Sequence, residues 1–581
     1  MRELFKIFGI LPKEQYPQCV GMIVTMLLGA SLEAVGIGVV LPLISLLSDA
    51  DFLVKYPRMA KIVYACGIET HTDLIIAASI LIIVLYFLKN LYIAWETRLQ
   101  IRFAMKNQID YAKALLAEYL MKPYLFHVNH NTATLIRNVS SGAQNIFAGI
   151  LTAVLQLLTE IVTALIIWGM LIVVDPFTAI VVAGVLAGLL LGVLWAFRRQ
   201  IVLQGVTQNQ YAAQYTKWLH QGLGAIKETK IMHKELFFLE EFNKAYAAYG
   251  EAQGRFSFLN QIPRNIIEFL VLSGLMLLII VKILAGESAE SIVALLGVLA
   301  LAAFRLMPSA NRIASYANSI KFSMPLLDEL RQELEAIRQR RNRHEHLQIE
   351  GHSVQMQFSH KIVIKDLGFR YSEIGKDVLK DASFEIPKGA YVGVVGPSGA
   401  GKTTFVDILL GLFSPTEGSI CVDGQDIQTD IRGWQENLSY VPQSIYLIDA
   451  TVKENIALGE GAGSLDDSKI EKVLRMAELY DFVAELPEGI NTMVGERGVK
   501  LSGGQRQRIG IARALYQEPE VLILDEATSA LDNATEKSIT DTILKLKGQM
   551  TIISIAHRVS TLEDCDFKVK FEDGHAVVIG K

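Results

Sequence analysis

The chain has 581 residues, more than one ordinary domain needs, and 51% of them are hydrophobic, with a mean hydropathy of +0.33. This composition excludes a wholly soluble protein and predicts a membrane-embedded part. The formal net charge of −5, without long runs of like charge, argues against a nucleic-acid partner, and the four scattered cysteines have neither metal-ligand nor disulfide-framework spacing.

The N-terminal half contains six apolar stretches that are long enough to cross a bilayer. A helix needs about 20 apolar residues to cross a hydrocarbon core of ~30 Å. The stretches lie near residues 18–47, 74–98, 143–174, 177–197, 264–285 and 289–316. We therefore expect six transmembrane helices, preceded by an amphipathic segment at residues 1–10 on the inner membrane face.

The breaks between these stretches alternate in length. Asp175-Pro176 and residues 286–288 are tight turns, whereas residues 99–142 and 198–258 are long, polar and helical in pattern. Lysine and arginine accumulate in the two long breaks, which the positive-inside tendency places in the cytoplasm. Both termini are then cytoplasmic, and the tight turns and residues 48–73 face outward.

The sequence changes character after residue 325. Residues 326–341 have a helical, highly charged pattern without a strong apolar face, which we interpret as a solvated connecting helix. We divide the chain into a membrane domain (1–325), a connecting segment (326–355) and a C-terminal domain (356–581).

A phosphate-binding loop occupies residues 396–403. The sequence Gly-Pro-Ser-Gly-Ala-Gly-Lys-Thr follows a short buried strand (391–395) and precedes a helical segment (404–410), which is the context that the motif requires. Its glycines let backbone N–H groups converge on nucleotide phosphates at the start of a helix. Lys402 is expected to contact the β and γ phosphates, and the Thr403 hydroxyl to bind Mg²⁺.

Two later motifs complete a hydrolytic site. The buried run 521–525 ends in Asp525, which is placed to hold the metal, and Glu526 follows at once, where it can polarise an attacking water. Ser502, Gly503 and Gly504 begin a helical segment, so their N–H groups form a second anion site. Two phosphate sites in one domain indicate a shared nucleotide.

Together these motifs make the C-terminal domain similar to the nucleotide-binding domain of ABC transporters. The resemblance implies that Tyr371 stacks on adenine, that Gln443 and His557 sense the γ-phosphate, and that Asp532 lies in the loop that crosses to a partner subunit. The implied catalytic residues are Glu526, His557 and Gln443, and the implied metal ligands are Thr403, Gln443 and Asp525. The implied nucleotide contacts are Tyr371, Gly396, Pro397, Ser398, Gly399, Ala400, Gly401, Lys402, Thr403, Thr404, Leu501, Ser502, Gly503, Gly504, Gln505 and Asp532.

This resemblance also sets the expected architecture. It implies an α-helical membrane domain of six transmembrane helices, of the ABC exporter type, fused to a cytoplasmic α/β P-loop nucleotide-binding domain. The protein would be an ATP hydrolase coupled to transport, with ATP and Mg²⁺ as cofactors. Because one chain has one such domain, we expect a homodimer, with coupling helices near residues 124–134 and 222–237.

Three basic residues lie within the predicted spans, where charge is costly and often functional. Lys89, Arg264 and Arg305 all fall in the cytoplasmic half of the bilayer, so a dimer could present six positive charges to an anionic head group. The alternative is structural: Arg264 extends towards the interface, or the basic residues pair with the carboxylates of the spans, Glu33, Glu160 and Glu268.

A second resemblance bears on the cargo. Residues 305–313, Arg-Leu-Met-Pro-Ser-Ala-Asn-Arg-Ile, and the amphipathic segment 52–64 are similar to bacterial lipid-linked oligosaccharide flippases of protein glycosylation loci (PglK type). This implies a polyprenyl-pyrophosphate glycan as substrate and membrane lipids as surroundings, in the bacterial inner membrane. Two alternatives remain open: a multidrug or lipid A exporter, and an ATP-gated protein that does not transport.

Overall fold

The computed structural model describes residues 9–39, 43, 46, 70–174, 176–284, 289–342, 354–372, 375–461, 463–526, 533–555 and 562–580. The chain forms two compact units. The membrane unit comprises residues 1–122 and 127–348, and the C-terminal unit comprises residues 123–126 and 349–581. Most of the predicted N-terminal amphipathic segment, and all of the segment 52–64, lie outside the described residues.

Long helices dominate the membrane unit. A 3₁₀ turn (Lys13–Gln15) precedes α1 (Tyr16–Gly38), α2 (His71–Met121), α3 (Tyr124–Asn129), α4 (Thr132–Arg137), two π-helical segments (Asn138–Gly142 and Asn145–Leu151), α5 (Thr152–Val174), α6 (Pro176–Gly224), α7 (Ile226–Ile231), α8 (Glu235–Leu284), α9 (Ala289–Glu329) and α10 (Arg331–Asn342). Helices α3 and α4 lie within the first predicted coupling segment or just beyond it, and α7 lies within the second.

Five helical stretches in the described part of the chain are long and apolar enough to cross a membrane. They are Lys13–Gly36, His71–Met121, Thr132–Met170, Ala183–Gly224 and Glu235–Leu284. The sixth predicted span falls in α9, where the side chains of residues 289–305 lie outside the described residues. Because α2 has 51 residues and α8 has 50, both continue well past the ~20 residues that a bilayer requires.

The interpretation of residues 326–341 as a solvated helix is wrong. Leu330, Leu334 and Ile337 are fully or almost fully buried at 1%, 0% and 4% exposure. Their spacing of four and three residues puts them on one face of a helix, and that face packs against the rest of the membrane unit. Arg340 also forms an ion pair with Glu118 of α2 at 2.7 Å. This narrow apolar face was not predicted, because charged residues dominate the stretch.

Two sheets form the C-terminal unit. The strands are β1 (Lys361–Phe369), β2 (Leu379–Pro387), β3 (Tyr391–Val395), β4 (Glu417–Val422), β5 (Gln425–Asp426), β6 (Leu438–Val441), β7 (Val521–Asp525), β8 (Thr551–Ile555), β9 (Phe567–Glu572) and β10 (His575–Ile579). The first sheet has the order β2-β1-β4-β5 and is antiparallel. The second has the order β10-β9-β3-β8-β7-β6, and all its pairs are parallel except β9 with β10.

Seven α-helices accompany these sheets in the described part of the C-terminal unit. They are α11 (Lys402–Leu409), α12 (Ile431–Gln435), α13 (Val452–Ile456), α14 (Asp467–Met476), α15 (Tyr480–Ala484), α16 (Gly503–Tyr516) and α17 (Asn533–Leu546), joined by short 3₁₀ turns (Ile427–Thr429, Gly489–Asn491 and Glu496–Gly498). Within the same unit the ring of Tyr124 lies 5.5 Å from that of Phe413.

The register of the parallel sheet brings two predicted motifs to one edge. Ile555 of β8 is paired with Asp525 of β7 on one side and with Val394 of β3 on the other. Asp525 and the start of the phosphate loop therefore lie at the same level, two strand spacings or roughly 10 Å apart. Ligands of parallel α/β sheets bind at this carboxyl edge.

Candidate functional site

At two positions the phosphate loop requires glycine, because the surrounding atoms leave no space for a Cβ. A Cβ atom on Gly396 would lie 2.3 Å from the carbonyl oxygen of Phe571, and one on Gly401 would lie 2.7 Å from a methyl group of Leu379. Both residues also have positive φ, +149° and +100°. At Gly399, φ is +80° but a Cβ would meet nothing within 4 Å, so only the backbone conformation requires glycine there.

Lys402 begins α11 directly behind this loop. Its side chain is buried, and its Nζ donates hydrogen bonds to the carbonyl oxygens of Gly396 at 2.7 Å and Pro397 at 3.0 Å. The ammonium group is therefore held against the loop whose N–H groups are expected to face phosphate. The glycine geometry and this lysine both fit the triphosphate that the motif predicts.

A cluster of acidic residues adjoins the loop. Asp525 is buried at the end of β7 and accepts a hydrogen bond from the Tyr440 hydroxyl at 3.2 Å. Burial, and then the charge of Asp525, raise the pKa of Asp407 on α11 to about 6. Burial and the neighbouring Asp525 also raise the pKa of Tyr440. This negative potential suits a cation that arrives with the nucleotide.

The described residues contain no group of three His, Cys, Asp or Glu side chains that could hold a metal ion. Mg²⁺ does not require such a group, because it is usually bound by one or two carboxylates together with substrate phosphates and water. Asp525, the Thr403 hydroxyl and the Gln443 amide oxygen match that pattern.

The structure brings Glu526 and Gln443 together. Gln443 Nε2 donates to Glu526 Oε2 at 2.6 Å. Glu526 has a φ of +49°, an unusual conformation for a residue other than glycine, and its backbone N–H donates to Ile555 at 3.0 Å. This turn points the carboxylate away from the strand and beside the glutamine. A general base needs such a fixed position near the water it activates.

Tyr371 presents a half-exposed ring beside the loop. Its hydroxyl is hydrogen-bonded to Thr404 Oγ1 at 3.1 Å, and its ring makes edge contacts with Phe369 and Phe413 at 5.1 and 5.6 Å. Because these contacts fix the ring while 45% of the residue stays exposed, a face remains available for stacking on a base.

The signature segment forms its own helix terminus. Ser502 caps α16: its Oγ accepts from the Gln505 N–H at 3.2 Å, and Gln505 Oε1 accepts from the Ser502 N–H at 2.7 Å. The Gly503 side of this terminus is open, because a Cβ there would meet nothing within 4 Å. Leu501 is buried below it. The predicted site residues Asp532 and His557 lie outside the described residues.

Lys89 has a partner in the membrane unit. Its Nζ lies 3.1 Å from Glu33 Oε2, with side-chain exposures of 7% and 17%, and 4.7 Å from the centre of the Tyr86 ring. This is one of the ion pairs that the structural interpretation of the basic residues predicts. A small cavity of about 30 Å³ borders the pair between α1 and α2.

Of the other two predicted basic residues, only Arg264 has a described side chain. Arg264 is exposed on α8, as is Glu268 one turn later, and the side chain of Arg305 lies outside the described residues. Glu160 does form an ion pair, but with Arg312 of α9, whose Nε donates to Glu160 Oε1 at 2.5 Å. Of the three predicted substrate residues, Lys89 is therefore paired with Glu33 and Arg264 is exposed, and these two are the ones with described side chains.

Sequence reasoning missed three residues that shape the nucleotide site. Asp407 lies four residues after Thr403, on the same face of α11, and this spacing could have signalled it. Tyr440 gave no signal, because nothing local shows that β6 lies beside β7. Arg513 of α16 donates to the carbonyl oxygens of Asn455 at 2.7 Å and Tyr446 at 3.0 Å, so it fixes the segment after Gln443, and burial lowers its pKa.

Comparison with known proteins agrees with this geometry. Residues 379–529 match the family model described as ABC transporter. The chain is 43% identical over 220 residues to the heterocyst differentiation ATP-binding protein HepA of Nostoc sp. strain PCC 7120, and 42% identical over 232 residues to the ATP-dependent lipid A-core flippase of Cupriavidus metallidurans. Each match covers 38% of this chain and only 35% and 39% of those relatives.

A solved structure extends the likeness to the whole chain. The structure of a bacterial Atm1-family ABC exporter with ATP bound has a TM-score of 0.74 and 23% identity, and the alignment covers 97% of this chain and 94% of that one. The chain therefore has the fold of an ABC exporter. Its C-terminal unit is a nucleotide-binding domain of the ABC transporter type, with the predicted phosphate loop and carboxylates at one edge of the sheet.

Proposed function

We propose that this protein is an ATP-driven flippase that moves a lipid-linked oligosaccharide, a polyprenyl-pyrophosphate glycan, from the inner to the outer leaflet of the bacterial inner membrane. The observation that carries the ATP-driven part is the convergence of the phosphate loop, Asp525 and the Glu526–Gln443 pair at one sheet edge of an exporter fold. Intact catalytic residues argue against a protein that only senses ATP.

The site supplies a role for each group in hydrolysis. Lys402 exchanges its two carbonyl partners for phosphate oxygens, and Tyr371 stacks on the base. Glu526 accepts a proton from the attacking water, while Gln443 holds that carboxylate in place. Asp525, Thr403 and Gln443 would hold Mg²⁺, which would supply positive charge to the phosphates. Asp532 and His557 keep the predicted roles of partner-facing residue and γ-phosphate sensor.

We also propose that two copies act together as a homodimer. The open, capped terminus at Ser502 is suited to the γ-phosphate of a nucleotide held by a second copy. The turn between α6 and α8 adds support, because Leu223, Ile231 and Leu236 there are 65–70% exposed. Exposed apolar patches of this kind usually contact another protein surface. The two turns at residues 124–134 and 222–237 would then couple nucleotide binding to the membrane helices.

The lipid cargo rests on similarity and on membrane chemistry. The Cupriavidus relative is named as a lipid A-core flippase, and residues 305–313 resemble flippases of lipid-linked oligosaccharides. An arginine such as Arg264 or Arg305 suits a pyrophosphate, whereas Lys89 would first have to leave Glu33. The relative's name also favours a second candidate, a lipid A type exporter of the same class.

Reconstitution tests both candidates. Purified protein in liposomes would be given a panel of inner-leaflet lipids: a polyprenyl-pyrophosphate glycan, a lipid A core and a phospholipid. We expect ATP-dependent translocation of the glycan lipid, with stimulated ATP hydrolysis. Faster movement of the lipid A core would favour the second candidate, and no movement of any lipid would refute a flippase.

A further inference from the structure

An apolar cavity of about 510 Å³ lies in the membrane unit between α5, α6 and α9, and it is open on one side, where Leu165 and Ile180 are 55% and 59% exposed. Ile161 and Trp168 line it from α5, Ile180 and Leu190 from α6, and Ile313 from α9. Every lining residue is an alanine, glycine, leucine, isoleucine or tryptophan. The volume is within the range of about 300–1,000 Å³ that small-molecule sites occupy. The lining therefore suits a hydrocarbon.

The cavity is about as long as the hydrocarbon chain of a lipid in one leaflet of the bilayer. Ile180 and Leu190 are ten residues apart on α6, which is roughly 15 Å at ~1.5 Å per residue. Half of a hydrocarbon core of ~30 Å has the same length. Because the lining residues are all apolar and lie in the membrane unit, the cavity suits an occupant dissolved in the bilayer better than a water-soluble ligand.

One end of the cavity is charged. Glu160 and Arg312 directly precede the lining residues Ile161 and Ile313, and they form the ion pair between α5 and α9. The side chain of Arg312 remains half exposed. An apolar body that ends at a charged pair matches the polarity of a lipid, whose chain is apolar and whose head is polar.

We infer that this cavity binds one hydrocarbon chain of the transported lipid, with the polar head on the side of the Glu160–Arg312 pair. The inference rests on the proposed flippase function and deepens it, because it assigns chain recognition to named helices. It makes the lipid's tail, and not only its head group, a determinant of binding. The competing occupant is the chain of a resident phospholipid.

Two glycines of α6 provide a matched pair of variants. Gly184 lines the cavity, and a Cβ there would meet nothing within 4 Å, so Gly184→Leu begins its side chain in open space at the cavity wall. Gly188 lies one turn later and has the same open surroundings, but it does not line the cavity. Gly188→Leu is therefore the control. Ala187→Leu is a second filling variant if Gly184→Leu lowers the melting temperature.

Quenching of Trp168 fluorescence measures binding directly. Full-length protein in phosphatidylcholine vesicles would be titrated with a polyprenyl pyrophosphate whose chain carries bromine, a quencher of indole. The chain has five tryptophans, so the difference between wild type and Trp168→Phe isolates this signal. We expect quenching in wild type and Gly188→Leu, and a roughly tenfold weaker response in Gly184→Leu, equivalent to displacing about two methylene groups.

Three outcomes would overturn the inference. Equal quenching in Gly184→Leu and Gly188→Leu would show that the cavity is not the chain site. Equal quenching of Trp168 by a brominated phosphatidylglycerol would assign the cavity to a resident lipid. Unchanged flipping in both filling variants would show that the transported chain does not use it. Quenching without any flipping in wild type would instead count against the proposed function, because binding is measured without transport.

Discussion

The two units of this protein treat the ionisable residues of their candidate sites in different ways. In the C-terminal unit, Lys402 donates to backbone carbonyl oxygens, while Tyr440 and Gln443 donate to Asp525 and Glu526. In the membrane unit, Lys89 and Arg312 face carboxylates, Glu33 and Glu160. The first arrangement suits a site whose charges meet those of a ligand. The second suits a bilayer, where an uncompensated charge is costly. Removing a charge should therefore affect chemistry in one unit and stability in the other.

The largest expected effect tests the prediction that removing a charge in the C-terminal unit affects chemistry. Glu526→Gln should slow ATP turnover by roughly 10²–10⁴-fold, because the amide cannot accept the proton of the attacking water. Nucleotide binding should persist, since the phosphate loop and Asp525 are unchanged. ATPase assays beside binding of a fluorescent ATP analogue would measure both.

Glu485→Gln is the control for this variant, because Glu485 is an exposed carboxylate of the same unit and lies outside the proposed site. It should leave turnover and binding unchanged. Near-normal turnover of Glu526→Gln would show that another group is the base. Loss of binding in the same variant would show that the residue supports the site structurally.

The next largest effect tests the prediction that removing a charge in the membrane unit affects stability. Lys89→Met leaves Glu33 without its cation in a site where Lys89 is buried and Glu33 is only 17% exposed, and breaking a fully buried pair costs about 3–5 kcal/mol, which is the upper bound here. The double variant Lys89→Met/Glu33→Gln should recover much of that loss. Thermal melting of the purified protein in detergent would give the coupling between the two changes.

The exposed pair Arg255–Glu251 provides the contrast. Its side chains are 62% and 65% exposed, so Arg255→Met should change stability by less than about 1 kcal/mol. If Lys89→Met melted normally and lost transport, Lys89 would be a head-group contact and not a structural partner. The comparison between the two units would then fail at this residue.

A third effect separates lack of space from backbone strain. Gly401→Ala should weaken nucleotide binding and stability together, by about 1–3 kcal/mol, because its methyl group meets Leu379 and the residue has a positive φ. Gly399→Ala should cost only about 1 kcal/mol, since its Cβ has open surroundings. If the two variants lowered the melting temperature equally, the positive φ, and not the clash with Leu379, would account for the loss.

The same difference between the two units explains how much of each could be predicted from the sequence. The phosphate loop, Asp525, Glu526 and Gln443 were predicted because contiguous motifs encode them, and the exporter fold confirms the predicted fold class, a helical membrane domain followed by a C-terminal nucleotide-binding domain. Asp407 and Tyr440 were missed because their role depends on the neighbours of β7 in the sheet. The partner of Lys89 remained open, because the sequence does not show which carboxylate of another helix lies at the same depth. The buried face of α10 was missed because charged residues surround it.

The smallest expected effect concerns Asp407, the acidic residue that the motifs did not reveal. Burial and the charge of Asp525 raise its pKa to about 6, so the folded protein binds this proton more tightly than the unfolded chain does. The contribution to stability is complete below the ordinary pKa of about 4 and is lost as the pH rises through 6. Asp407→Asn should remove this dependence and stabilise the protein at pH 7 by about 1 kcal/mol, a value reduced for partial exposure.

Melting temperatures between pH 4 and pH 7, without nucleotide or Mg²⁺, would measure this effect. Asp449→Asn replaces an exposed aspartate of the same unit and should follow the wild-type profile. If Asp407→Asn instead kept that profile, another group would carry the pH dependence. Asp525→Asn sharpens the comparison: it should lower the pH at which Asp407 titrates, because it removes the charge that opposes ionisation. An unchanged profile in that variant would show that burial alone raises the pKa of Asp407.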